Sequence, residues 1–533
     1  MHLVSKLPVR IAFISSALLL SANVASANAT DHNLYWDPND TNTTTAGGTG
    51  TWNTSSANAW YTGDGAVQHT WVNTTSIATY YNLYFGGAGQ VAPYTVTTNL
   101  SSTLATAAST TFNLFFQGDY ILTRDAASTN TAELGSTTSS IGVVVSSSAG
   151  KSLSVVAGTD TGETNRIVLK SGTNNSANPS LLFTGGGSIS LGKNVDVQGT
   201  SANGHVRVGA ASLATSLTAT AGATITAPRL QLANGALNIN GGAVSLGVTA
   251  GANSARGNSA LFIGTVGTTA AGYTPSVVNL NSGTLTALPG TGANGGTYGQ
   301  GKHGVVFAID PTVLTADAAT TATGLSGGTF NLNGGTLTTT DILANPYATT
   351  DVTAKFVFNG GTLVVSAAAT QDHLNGFMTG FKDTAANHIS IASGGATINT
   401  GSINTGTTNG IATIDSVIRG SGDLTKAGAN TLRLSAANTY TGRTVISGGT
   451  LALGATGGLA SSEISIADGA NFDVSARTGG FRLVTGQNLE VAGTGLFTGT
   501  LGVGSDTTAE TITLSNNLNL ASGAGLLFDL GAT

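Results

Sequence analysis

The chain has 533 residues, of which 75 are glycine, 9 proline and none cysteine, and its formal net charge is −6. Only 8% of its residues are charged and its mean hydropathy is +0.18, so it lacks the low hydrophobicity and high charge of a disordered chain. It has neither the Gly-X-Y period of collagen nor a Lys/Arg cluster for nucleic acid or an anionic membrane surface.

Residues 1–29 read as a secretion signal. Lys6 and Arg10 form a basic head, residues 11–20 are apolar, and Ala25-Ser26-Ala27 and Ala27-Asn28-Ala29 both fit an A-x-A cleavage pattern, with cleavage expected after Ala29. The apolar run is too short to span a bilayer and no later segment is longer, so no transmembrane segment is expected in the mature chain. Without Lys6 and Arg10, 17 basic residues face 25 acidic ones, a net of −8. An exported chain without cysteine must rely on stacked hydrogen bonds and core packing rather than disulfides.

Residues 30–100 hold Trp36, Trp52, Trp60 and Trp71, together with Tyr35, Tyr84, Phe85 and Tyr94. The first unit of a stacked array has an end to cover, and aromatic side chains bury much area each, so this region is expected to be an N-terminal cap with the first coils. The competing reading is a sugar-stacking face. Asp37, Asn39 and Asp40 lack the spacing of a calcium loop and read as a solvated turn around Pro38.

Residues 101–415 carry a degenerate Gly-Gly-Thr-Leu phrase: GGGSISL at 185–191, NGGAVSL at 240–246, NSGTLTAL at 281–288 and GGTFNLNGGTLTTT at 327–340. Short apolar-alternating runs broken by Gly and Asn predict short strands joined by tight corners. The spacings of 20 (Gly222 to Gly242) and 41 (Gly242 to Gly283) suggest coils of about twenty residues, the longer one counting as two. Glycine at a corner supplies positive φ. Asn240, Asn281, Asn333 and Asn359 beside the corners tolerate the same conformation and are placed to bond coil to coil. Residues 249–257 and 289–304 read as loops. In residues 371–388, Leu374, Phe377, Met378 and Phe381 recur at helical spacing and predict a short amphipathic turn or helix over the coil edge, with a partner-binding lobe as the alternative.

Residues 416–533 contain the stretch that organises the rest, 420–453. No run there is long enough for a helix, so each strand must bury its Leu/Val face against the next. The alternation turns Leu432, Leu434, Val445, Leu451 and Leu453 inward. The fold expected from these patterns is all-β, a right-handed parallel β-helix, or solenoid, with the aromatic-rich N-terminal cap.

The phrase GDLTKAGANTLRLSAANTYTGRTVISGGTLAL at 422–453 resembles the autotransporter-associated β-strand repeat, also called the passenger-associated transport repeat. Leu424, Lys426, Gly428, Leu432, Leu434, Asn438, Tyr440, Gly442, Gly449 and Leu451 carry the resemblance. Asn430, Arg433 and Arg443 depart from the usual small or hydroxyl residues. The resemblance implies a protein secreted by, or held on the outer surface of, a Gram-negative bacterium, of the kind that often carries a Pro-Glu-Pro sorting signal. It also implies a non-catalytic structural or adhesive passenger, or one that supports passenger export. Extracellular polysaccharide or cell-surface components are the implied partners, and a separate translocator or sorting machinery is implied for export. The chain stops in mid-pattern at Thr533 where proteins with this repeat continue, so a fragment that continues beyond it, or a passenger exported some other way, is expected.

The search for chemistry assigns no catalytic, metal or cofactor-binding residue. The seven histidines have no zinc-like spacing. GLSGG at 324–328 sits at a corner leading into a strand, so Ser326 reads as a turn residue. The densest titratable group is Asp372, His373, Lys382, Asp383 and His388, which a solvated loop explains. The alternative is a carbohydrate-binding or polysaccharide-degrading β-helix.

Overall fold

The computed structural model describes residues 31–499 apart from several inter-strand segments, together with Leu518–Leu520 and Gly525–Leu526. Ala29 and the signal lie outside the described residues. Every described element is a strand, and most are three to six residues long. Such strands are unstable alone. Most therefore pair with the strand one coil before them and the strand one coil after them.

The pairing builds three faces. The first is a 19-stranded sheet whose parallel pairs run from Asp31–Trp36 through Thr431–Leu434 to Gly525–Leu526. The other two faces share a 24-stranded sheet. The second face runs from Gly50–Trp52 to Ile418–Gly420, and the third from Ala132–Gly135 to Leu518–Leu520. In Gly235–Leu246 and Ser276–Ala287 the second and third faces are one strand bent at a corner, where Gly241 and Gly283 take φ of +95° and +86°. This is a parallel β-helix. Alternate residues of all three faces point into one continuous apolar core, from Leu34 to Phe497.

The coils begin earlier than the repeat phrases do. Asp31–Trp36 already pairs in parallel with Tyr80–Phe85, so the solenoid starts within the expected cap. Ahead of it, Trp60–Thr62 and Gln68–His69 add antiparallel to the open edge of the first face. Trp36 and Trp52 are buried, and Trp36 Nε1 donates to the Gly48 carbonyl at 2.8 Å. Phe85 and Phe116 stack at 4.4 Å between centroids, with Tyr120 edge-on to Phe85. Asp37 is buried rather than solvated, whereas Asn39, Asp40 and Trp71 lie outside the described residues.

Two other expectations need correction. Ala243 pairs directly with Thr284, so the 41-residue spacing is one coil with an insertion rather than two coils. The described part of 371–388 holds no helix. Met378–Thr379 and Asn387–Ile391 are strands of the first and second faces, and Phe377, Met378 and Phe381 are buried where the chain rounds the core. A turn produces the same i, i+3 and i+4 spacing as a helix when both ends enter one core. Leu374, all of 249–257 and most of 289–304 fall outside the described residues.

Candidate functional site

The stretch 424–453 spans about one and a half coils. Leu424, Leu432, Leu434, Leu451 and Leu453 are all fully buried. Val445 is not: Thr444 and Ile446 point inward and Val445 outward. The reason is Tyr440, which is buried and places its hydroxyl 2.6 Å from Thr444 Oγ1, so Thr444 takes an inward place where its polar group is satisfied.

Lys426 also points inward. It occupies a column whose neighbours on adjacent coils are Ile398 and Ile446. Its ammonium donates to the carbonyls of Ala427 at 3.1 Å, Gly428 at 2.8 Å and Gly448 at 2.8 Å. Three donors meet three acceptors, and two successive coils are tied at their corners. Burial pulls its pKa down to about 8. Asn438 is a second tie: its Oδ1 accepts from Ile418 N at 2.9 Å and its Nδ2 donates to Gly458 O at 3.1 Å, linking three coils twenty residues apart. Gly428 is fixed by sterics. At φ +81°, a Cβ there would lie 2.3 Å from Gly401 N. A Cβ on Gly442 would lie 2.2 Å from the Gly422 carbonyl oxygen, and Gly449 also takes positive φ.

The outer surface is ordered by coil-to-coil contacts. Asn281 Nδ2 donates to Asn240 Oδ1 and Asn333 Nδ2 to Asn281 Oδ1, each at 2.8 Å, and Asn359 Nδ2 to Asn333 Oδ1 at 3.3 Å. None of these four has positive φ among the described residues, so the ladder, not the backbone, accounts for asparagine here. A second ladder runs Asn238–Asn279–Asn331 and a third Asn33–Asn82–Asn113. The rings of Tyr35, Tyr84 and Phe115 stack at 5.0 and 4.9 Å beside that third ladder. Stacked on one another, they present edges outward rather than the open faces that sugar stacking needs. On the third face, the outward positions from Thr224 to Ala427 are Thr, Ser, Ala, Val and Asn, with no charge.

Six acids each pair with a base on a neighbouring coil. Asp119 meets Lys151 at 3.6 Å, Glu133 meets Lys170 at 3.4 Å, Glu463 meets Arg443 at 2.5 Å and Asp383 meets Arg419 at 3.6 Å. Asp196 pairs with Arg166, and Asp341 with His303. Among the described residues no group of three or more His, Cys, Asp or Glu is placed to hold a metal. Ser326 lies on the short strand Leu325–Ser326, antiparallel to Thr265–Val266, rather than at a turn. Of the titratable group noted above, Asp372 and His373 lie outside the described residues. Asp383 and His388 are brought together with Lys355 and Arg419, which sequence reasoning did not single out. Lys355 aligns with His388 across a 33-residue coil, a spacing that the insertions hide. No described helix is long and apolar enough to cross a membrane.

Comparison with family models bears on the same stretch. Residues 424–453 match the Passenger-associated-transport-repeat family. The chain is 36% identical over 136 residues to the Adhesin BmaC autotransporter of Brucella suis biovar 1 (strain 1330), a match covering 23% of this chain and 4% of that protein. The chain thus spans a small fraction of that relative's length. No solved structure matches the chain significantly. The chain therefore carries an autotransporter passenger repeat, and it is a surface-exposed passenger of the kind that Gram-negative bacteria secrete or display on the outer cell surface.

Proposed function

We propose that this passenger is a non-catalytic rod that adheres to surfaces or helps to build extracellular material, with extracellular polysaccharide or cell-surface components as its partners. The observation that carries the reading is the pattern of charge. Six acids are each spent in a pair with a base on a neighbouring coil, and where Asp423, Glu463 and Glu490 do come near one another, Arg443 lies among them. A glycosidase needs two carboxylates roughly 5–10 Å apart and free to act, and acids already paired with bases do not supply that. The similarity to a protein named as an adhesin supports the same reading. Function sits in sites rather than in the fold, so the β-helix itself does not decide.

Export belongs to the proposal too: residues 1–29 act as a signal cleaved after Ala29, and a separate translocator or sorting machinery moves the chain outward. Residues 30–100 act as cap and first coils, 101–415 as degenerate coils, and 416–533 as the repeat-bearing end. Amino-terminal sequencing of the exported protein should begin at Thr30.

The test is display of the full chain on a non-adherent Gram-negative host. Cells carrying it should be retained on polysaccharide-coated or host-cell surfaces several-fold above cells without it. Equal retention would remove the adhesive reading. Release of reducing or unsaturated ends from pectin, alginate or xylan, lost on substituting one Asp, would replace the rod with an enzyme.

A further inference from the structure

One cluster on the second face stands apart from the singly paired charges. Lys355 points outward from Ala354–Phe358, and the next coil, Asn387–Ile391, sets His388 directly beside it. Arg419 points outward one coil further on, where it pairs in register with Ser390. Two coil spacings and two residues along the strand separate Lys355 from Arg419, roughly 12 Å of backbone that two long side chains converging over His388 can close. Among the described residues Lys355 makes no ion pair, and Arg419 has Asp383 at a loose 3.6 Å. Two cations thus face one carboxylate on a rod whose mature charge is negative.

His388 sits between them and is more than nine-tenths buried. The turn before it fixes its ring: Nδ1 lies 3.0 Å from the Thr384 carbonyl oxygen, so Nδ1 carries the proton and donates, while Nε2 makes no hydrogen bond among the described residues. Burial, Arg419 and Lys355 hold its pKa below the ordinary imidazole value, against the Thr384 bond and Asp383. The imidazole therefore registers the positive field around it. Thr329 and Ser390 flank the cations on adjacent strands and offer hydroxyls.

We propose that Lys355 and Arg419, across His388, form a binding site for the carboxylate groups of an acidic polysaccharide lying along the rod. The site rests on the reading of the chain as an adhesive surface passenger. A carboxylate bridging the two cations cancels the field at His388. Lys355, Arg419 and Asp383 act on the imidazole, and Lys382, on the same turn as Asp383, is the further cation nearby. A polymer suits the site better than a small anion, because flat strands carry the cations and hydroxyls continue beside them along the axis.

The test uses the purified full-length mature chain with oligogalacturonate, alginate oligomers, a neutral β-glucan and inorganic phosphate as separate probes. Calorimetry should show binding of the uronate oligomers, weakened about tenfold or more in Lys355→Ala and in Arg419→Ala and abolished in Lys355→Glu. Imidazole resonances, with the His388 signal assigned by its loss in His388→Gln, should show the His388 pKa rising when uronate binds. That rise should be absent in Lys355→Ala, while burial and Arg419 still hold its ligand-free His388 below the ordinary imidazole value, a position that an unfolded chain would not give. Binding of phosphate as tight as that of uronate, equal binding of the neutral glucan, or unchanged affinity in the alanine variants would overturn the proposal. Because this assay is in solution, it can fail while displayed cells still adhere, which separates the site from the adhesive reading.

Discussion

At the residue scale, Lys426 shows what alternation alone cannot reveal. Sequence reading took it only as part of the repeat motif: two residues after Leu424, alternation puts it inward, while its charge belongs in solvent. The structure resolves the conflict with three backbone carbonyls at a corner, a partner set invisible until the coil closes. Lys426→Ala removes the stem from the core and leaves those carbonyls without their donor, so it should cost about 2–4 kcal/mol in denaturant unfolding. Its titration has a definite sign. The unfolded lysine keeps its proton to about pH 10.5, while the folded one loses it near 8, so between these values the unfolded state binds more protons. Stability should therefore rise with pH across that window in the wild type, and the rise should vanish in Lys426→Met. A flat wild-type profile would mean that the carbonyls fully offset the burial.

His303 has the opposite sign. Burial opposes its charge, but the charge and hydrogen bond of Asp341 outweigh burial and raise its pKa. The Asp341 carboxylate is itself held by Gly304 N at 2.7 Å and Thr340 Oγ1 at 3.0 Å. Stability from this pair is fully present below the ordinary imidazole value near 6.5 and is lost as pH rises through the raised one. Melting temperature followed from about pH 5 to 9 should show that loss in the wild type and not in His303→Gln.

At the element scale, the register divides neighbours sharply. Leu432→Ala or Leu451→Ala opens a cavity in a fully buried place and should cost on the order of 2–5 kcal/mol. Val445→Ala, outward and half-buried, should cost less than about 1 kcal/mol, whereas Ile446→Ala should behave like the leucines. A large loss at Val445 with none at Ile446 would invert the register. Sequence reading placed the leucines correctly because strict alternation held there. It failed at Val445 because Thr444, the residue that hydroxyl chemistry assigns to solvent, found a tyrosine hydroxyl inside. The asparagine ladder over Asn240, Asn281, Asn333 and Asn359 was legible for the same reason as the leucines: one residue type recurs at one corner. The neighbouring cations Lys355 and Arg419 were not, because their proximity depends on coil length, and here consecutive coils run to 41, 52 and 26 residues between successive asparagines of that ladder.

At the scale of the whole molecule, each coil touches only the coils beside it, so stability is a sum of neighbouring interfaces rather than one cooperative block. The exposed ion pairs add little, since such pairs are each worth about 0–1 kcal/mol. The interfaces are also uneven. Near the amino terminus Phe85, Phe116 and Tyr120 pack ring against ring, and in 424–453 Lys426 and Asn438 bind adjacent coils by side chain as well as backbone. Between them, coils are long and interrupted by insertions. Leu285 lies in that middle, fully buried between Val244 and Leu337 on the coils either side. Leu285→Asp buries an unpaired carboxylate there, and the two interfaces it touches should open while distant ones hold. Limited proteolysis with mass spectrometry should then yield one protected fragment containing residues 83–124 and another containing 424–453, with cuts on the coils around 285. Hydrogen exchange should show the same division. Loss of protection along the entire chain would instead make the rod a single cooperative unit, and the nearest-neighbour account of its stability would fall.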